Sequence, residues 1–279
     1  MSELDDVPQS VTIDYSNGSP LNRSDFLIVH YNIDSITADD CMYELMTACN
    51  TMKIDCLVLT ESKVDETIPS NLIYLPGYHE PLRHDRTRHG GGTLIYVAQH
   101  LTFKHQTSLQ HKLFEHLCDD VKVCGKICCV NTLYKPSTQT TSEDHETFLI
   151  TKEEILSNLQ DHTADNYVFA SDMNFGNVYS KSPKPLDSFA PDLFQMFGYT
   201  QFIDIPTHIT NDCTSLIDLI YIHNIDSVTS HGILPRIADH EGIFVSFHCT
   251  QDKVFVQQKL IFDYTNIDEG GLINYIKKH

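Results

Sequence analysis

The sequence predicts an α/β fold in which two packed β-sheets carry helices on their outer faces. Short apolar runs rich in β-branched residues, the pattern of buried strands, recur along most of the chain. They follow one another directly and are interrupted only by single amphipathic segments. Strand and helix therefore do not alternate as in a simple parallel fold. No internal repeat offers a different architecture.

Residues 1–24, with Ser, Asn, Asp, Gly and Pro, predict a flexible leader, or one short strand over 11–15. Residues 26–32, Phe-Leu-Ile-Val-His-Tyr-Asn, are a buried strand. Thr37-Ala-Asp-Asp40 has the form of a helix start, with an acid three residues after Thr, and Met42, Leu45, Met46 and Cys49 follow at helical spacing. Residues 54–60 are a second strand. A long loop with Pro69, Pro76 and Pro81 then runs to Gly90-Gly91-Gly92. No P-loop Lys follows these glycines, so they predict a bulge or close backbone approach rather than a phosphate cradle. Residues 93–98, 101–105, 114–123 and 126–134 read as successive strands, the last two joined by a turn at Gly125. Residues 143–159 are helical, with Phe148, Ile155 and Leu159 on one face. Residues 166–170 are a strand, 186–197 a helix stopped by Gly198, and 216–222, 228–234 and 243–249 the last strands. The domain thus spans 25–250, and 251–279 reads as a linker-like tail.

At 41% apolar residues the chain can fill the core of one large domain. It has no apolar run long enough to span a membrane and no apolar N-terminal segment, so no secretory signal is expected. The nine cysteines contain no CxxC pair and read as reduced, buried residues of an intracellular protein. His79, His84 and His89 recur every five residues, a spacing that suits an ordinary loop and not a zinc set. The formal charge of −19 opposes phosphate-rich partners. Metal-holding carboxylates invert that field locally. Residues 83–112 also hold five Arg/Lys and five His against one acid, which makes Arg83, Arg86 and Arg88 candidate phosphate contacts.

The residues with chemistry sit at strand ends: Asn32 and Asp34, Glu61, Tyr134, Asp172 and Asn174, and Asp239-His240. Asp218 lies inside the apolar run Leu216-Ile-Asp-Leu-Ile220, where a carboxylate is costly without a partner such as His240. Metal-assisted phosphodiester cleavage needs a hard oxygen site, a positioned water and donors for the developing charge. Glu61 suits a metal ligand, with Asn32, Asp34 or Asp239 nearby. Asp172 suits the group that orients or deprotonates water. Asn174, His240 and Tyr134 can face phosphate oxygens, and Asp218 can orient and charge His240.

The ordered series Asn32-Ile-Asp34, Thr60-Glu61-Ser62, Tyr134-Lys-Pro136, Ser171-Asp-Met-Asn174, Ser215-Leu-Ile-Asp218 and Ala238-Asp-His240 resembles the motifs of the endonuclease/exonuclease/phosphatase superfamily. That resemblance implies a four-layered α/β sandwich of the deoxyribonuclease I-like kind, with two mixed, mainly antiparallel sheets flanked by helices. It also implies Mg²⁺ or Mn²⁺ as cofactor. Arg88-His-Gly-Gly-Gly-Thr93 and Ile205-Pro-Thr-His208 followed by Ser215–Ile220 are similar to segments of the endonuclease domains of LINE-type (non-LTR) retrotransposons. This implies nicking of double-stranded DNA in the nucleus, a 3′-hydroxyl that primes reverse transcription, and a reverse transcriptase domain as partner. Ser171 and Ala238 stand where the family usually has Gly and Ser. An abasic-site repair endonuclease, a phosphatase of the same fold and an inactive binding relic are the alternatives. Asn174-Phe-Gly-Asn-Val178 departs from the repair enzymes' usual continuation, and the retained Glu61, Asp172 and His240 speak against a relic. Loops 62–89, 175–185 and 204–215 are the candidates for target choice by groove shape.

Overall fold

A computed structural model describes residues 9–13, 21–22, 24–111, 114–136, 141–174, 189–210, 214–224 and 226–249. In chain order the first half comprises β1 (Val11–Thr12), β2 (Phe26–Asn32), α1 (Cys41–Met52), β3 (Cys56–Thr60), β4 (Leu82–His84), β5 (Thr93–Val97), β6 (Thr102–His105) and β7 (Glu115–Val123). There follow β8 (Lys126–Tyr134), α2 (Ser142–Gln160), β9 (Asn166–Asp172), α3 (Phe189–Met196), β10 (Thr200–Gln201), β11 (His208–Ile209), β12 (Thr214–Ser215), β13 (Asp218–His223), β14 (Val228–Leu234) and β15 (Gly242–Phe247). The first sheet has the order β1-β14-β15-β2-β3-β5-β4 and the second β10-β13-β9-β8-β7-β6, while β11 and β12 form a separate ribbon. Three pairs are parallel, β1 with β14, β2 with β3, and β8 with β9; the others are antiparallel.

The strands' period of two sorts their residues between layers. Ile28, Val58, Ile95 and Val245 of the first sheet join Leu117, Val121, Val130 and Val168 of the second in one buried core. The alternate residues Leu27, Val29, Leu57, Leu59, Tyr96 and Phe244 pack with Leu45, Ala48 and Cys49 of α1 in another. Phe148, Ile155 and Leu159 of α2 and Phe194 of α3 cover the opposite outer face, where Phe194 stacks on Tyr221 at 4.0 Å. The result is the expected four layers: helix, sheet, sheet, helices. No described helix is long and apolar enough to cross a membrane.

Several expectations are corrected. Of the two readings of the leader, the short strand is the one observed, since β1 pairs with β14 and Ile13 N donates to Ile233 O at 3.1 Å. Thr37 does not start a helix: α1 begins at Cys41 after Asp40, which is left-handed and makes no side-chain cap. The backbone before it is tied to the end of β3 instead, through Ile33 N to Thr60 O and Ile36 N to Ser62 O. The capping box is on α2, where Thr141 and Asp144 bond reciprocally. The Pro-rich loop contributes an edge strand, β4. Cys124 and Cys249 form a disulfide with Cα atoms 6.2 Å apart, so they are not reduced; the six described free cysteines are all buried. That pair, 125 residues apart in the chain, meets because the β7–β8 turn lies beside the end of β15. The expected loop 175–185 and tail 251–279 lie outside the described residues.

Candidate active site

The alternation that points apolar residues into the inter-sheet core also points Asn32, Asp172 and Asp218 inward, at one end of the sandwich. Asp218 and Asp172 are directly opposite in the β13–β9 register. Both are buried. His240, from the turn before β15, places Nδ1 2.7 Å from Asp218 Oδ2. Asp172, Asp218 and His240 each offer an atom within 4.8 Å of the others.

Three donors converge on Asp172: Asn32 Nδ2 at 2.9 Å and Asn174 Nδ2 at 3.1 Å reach Oδ2, and Asn174 N at 2.8 Å reaches Oδ1. Asn174 is left-handed, with φ 44°, and also donates to Lys135 O at 2.9 Å. Burial, followed by the charge of Asp218, raises Asp172 to about 8; His240 opposes this. Burial would lower His240, but its bond to Asp218 and the charges of Asp218, Asp172 and Asp239 outweigh it and raise the imidazole to about 9. Burial acts to raise Asp218, yet its bond to His240 prevails and holds it below the ordinary carboxylate value. The cluster thus pairs a carboxyl poised near neutrality with an imidazolium.

A second group lines the lip. Glu61 follows β3 in a left-handed conformation, φ 53°. It accepts from Gly91 N at 2.8 Å and from the Tyr134 hydroxyl. Glu115, opposite Tyr134 in the β7–β8 register, accepts from Gly92 N at 2.5 Å and from Arg86 Nη1 at 3.0 Å. Burial raises Glu115 to about 7, with the Glu61 charge adding to the rise. A Cβ on Gly91 would come within 2.4 Å of Arg86 Cδ and 2.7 Å of Glu115 Oε1. The glycine run is therefore the close backbone approach expected, and its amides serve carboxylates.

The remaining expected residues lie farther out. Asp34 bonds Lys63 Nζ and its side chain is 64% exposed, facing away from the Asp172 cluster's burial. Asp239 is exposed as well, with Oδ1 3.9 Å from His240 Nε2 and Oδ2 3.7 Å from His208 Nε2. Arg83 is engaged by Asp85 and the carbonyls of Ile68 and Asp65, which makes it a strap within its own loop. Arg86 is held by Glu115, and Arg88 is exposed.

Three contributors escaped the sequence reading. Glu115 is one. His208 is another, its ring 4.6 Å from that of His240. The third is His30, with Nδ1 3.8 Å from Asp218 Oδ1, which has no hydrogen-bond partner among the described residues. Burial lowers His30 to about 4, against the pull of Asp218, so this ring is neutral. Its inward parity on β2 was the available signal. Thr207, in the Pro-Thr-His segment, accepts from Asp218 N at 3.2 Å and thereby holds the strand end.

A divalent cation fits this donor set. Carboxylates and an amide oxygen suit hard ions such as Mg²⁺ or Mn²⁺, and Asp218 Oδ1 is a buried acceptor with no hydrogen-bond partner among the described residues. Glu61, Asn32 and Asp239 supply oxygens of the kind such an ion takes.

No protein-family profile matches the chain, and no curated protein matches its sequence. Solved structures share its fold. The endonuclease domain of TRAS1, a telomere-specific non-LTR retrotransposon, is 13% identical with a TM-score of 0.63, over 81% of this chain and 100% of that one. The AP endonuclease LMAP from Leishmania major is 14% identical with a TM-score of 0.64, over 84% and 93%. The 3′ phosphatase NExo from Neisseria, bound to a product DNA hairpin, is 14% identical with a TM-score of 0.63, over 80% and 99%. The chain has the deoxyribonuclease I-like fold that these proteins share.

Proposed function

We propose that the chain is a divalent-metal-dependent endonuclease that nicks double-stranded DNA and leaves a 3′-hydroxyl able to prime reverse transcription. The observation that carries this reading is the buried Asp172–Asp218–His240 cluster between the ends of both sheets, beside the Glu61–Tyr134 lip. Asp172, raised to about 8, orients a water and takes its proton. The water oxygen bonds to phosphorus, and the bond to the 3′ oxygen breaks. That oxygen leaves with the bonding pair and is protonated from solvent. His240, cationic beside Asp218, donates to a non-bridging oxygen as charge develops there. Asn174 and Tyr134 contact the phosphate, while Asn32 orients Asp172. A bound Mg²⁺ or Mn²⁺, held by Glu61 with Asn32 or Asp239, would neutralise phosphate charge as a Lewis acid; Asp34, paired with Lys63, is not among its ligands. Exposed Arg88, with Arg86, gives the local positive surface that a chain of charge −19 needs to approach DNA.

The fold shared with a retrotransposon endonuclease domain supports the priming role; under this reading the protein acts in the nucleus with a reverse transcriptase as partner. The test is supercoiled plasmid with Mg²⁺ or EDTA, beside an Asp172→Ala variant. Relaxed circles that require both metal and Asp172, and that a polymerase extends without prior phosphatase treatment, are expected. Folded protein that leaves the plasmid supercoiled, or that only releases inorganic phosphate from 3′-phosphorylated ends, would overturn the proposal in favour of a binding relic or a phosphatase.

A further inference from the structure

We propose that Cys118, Asp120, Cys129 and His162 form a second metal site, for a thiophilic divalent ion of the zinc class, on the outer face of the second sheet. The site is separate from the catalytic end in place and in chemistry. Cys118 and Asp120 on β7 pair with Asn131 and Cys129 on β8, so all four side chains lie on one face, opposite to inward Asp119 and Val130. Cys129 in turn lies beside Tyr167 of β9. His162 comes from the turn after α2.

Three of the four donor atoms are already gathered, and the fourth, Cys118 Sγ, adjoins one of them. Asp120, Cys129 and His162 each present a ligand atom within 4.8 Å of the others. His162 Nε2 is 2.9 Å from Asp120 Oδ1, and Cys118 Sγ is 3.3 Å from Cys129 Sγ. A tetrahedral ion with bonds of about 2.0–2.3 Å holds neighbouring ligand atoms roughly 3–4 Å apart. Two thiolates, one imidazole and one carboxylate suit zinc and not the hard ion of the catalytic site.

The surroundings fix these ligands from behind. Gln106 Nε2 donates to Asp120 Oδ2, leaving Oδ1 toward His162. Asn131 Nδ2 donates to Cys129 Sγ at 3.5 Å. Tyr167 straps the turn that carries His162: its hydroxyl donates to His162 O at 2.5 Å and accepts from Ala164 N at 3.0 Å, with its ring edge-on to the imidazole. His162 and Asp120 side chains are 16% and 11% exposed, which gives an ion a way in. Occupied, the site would pin the α2–β9 turn to the sheet and stabilise the domain without touching the chemistry.

Tag-free full-length protein, reduced with a phosphine and stripped with chelator, would be titrated with Co²⁺ in excess Mg²⁺. One thiolate-to-cobalt charge-transfer band, saturating at one ion per chain and displaced by Zn²⁺, is expected. Cys129→Ser should abolish it. His162→Ala loses the 2.9 Å bond to Asp120, so its metal-free melting temperature should fall, and in protein shown to be folded Co²⁺ binding should weaken at least about tenfold. Asp172→Ala should keep the band. No thiolate band at stoichiometric Co²⁺, a band that survives in Cys129→Ser, or unchanged affinity in His162→Ala would each overturn the proposal.

Discussion

Replacing Asp218 by Asn tests the electrostatic centre of the candidate site. The Asp218 carboxylate lies 2.7 Å from His240 Nδ1. Burial alone would lower His240, but Asp218, aided by Asp172 and Asp239, raises it from 6.5 to about 9. A displacement of that size corresponds to about 3 kcal/mol favouring the imidazolium in the folded protein. The low Asp218 value reports the same interaction from the other side, so the energy is counted once. Because the folded value lies above the unfolded one, this stabilisation is complete below pH 6.5 and is lost as pH rises through about 9. Asn keeps the side chain's shape and removes its charge. Burial then prevails, and His240 falls below its ordinary value. Urea unfolding in EDTA, from pH 5.5 to 9.5, should show the stability gap between the two proteins shrinking by about 3 kcal/mol across that window. Plasmid nicking at pH 7.5 should fall at least about tenfold, with activity recovering toward acid pH as the imidazole regains its proton. A gap that does not change with pH, together with an unmoved pH–rate profile, would refute the claim that Asp218 controls the charge of His240.

Three further outcomes follow from the same geometry. Asp172 is raised to about 8 by burial and by Asp218, so its ionisation opposes folding as pH rises from about 4 through 8; Asp172→Asn should abolish nicking yet melt a few degrees higher at pH 8.5. A lower melting temperature there would contradict this. Gly91→Ala forces a side chain at φ +76° into Arg86 and Glu115, and should cost more than about 1 kcal/mol in a denaturant titration. Cys124→Ser removes a cross-link that closes 125 residues, and should lose about 2–4 kcal/mol of stability while plasmid nicking at 25 °C is unaffected, since the pair lies at the opposite end of the strands from Asp172.

Much of the fold was legible because burial on both faces writes near-continuous apolar runs, as in β2, β3 and β5. What escaped was short or dependent on a distant partner. Leu82–His84 becomes a strand only because β5 offers it an edge. Thr37 has capping chemistry, yet the backbone there is claimed by Thr60 and Ser62. In the candidate site, the carboxylates and imidazole stand out in sequence because ionisable residues at the ends of apolar strands need a reason to be there. Parity marks His30 as inward, but a single polar residue in a strand carries no mark of what lies across the sheet, so neither it nor Glu115 could be assigned to the site.

The sequence alone determined which segments are buried strands, because apolar runs rich in β-branched residues mark them, and which ionisable residues sit at or within them. That was enough to predict two sheets with outer helices and to single out Asp172, Asp218 and His240. Only the tertiary structure decided which of those residues share one environment. It opposed Asp218 to Asp172 by register, turned Asp34 outward to Lys63, spent Arg83 on its own loop, and brought Cys118 and Cys129 beside His162. Charge coupling and metal-ligand geometry depend on separations of a few ångströms between strands distant in the chain. Those separations are set by packing, which no local pattern encodes.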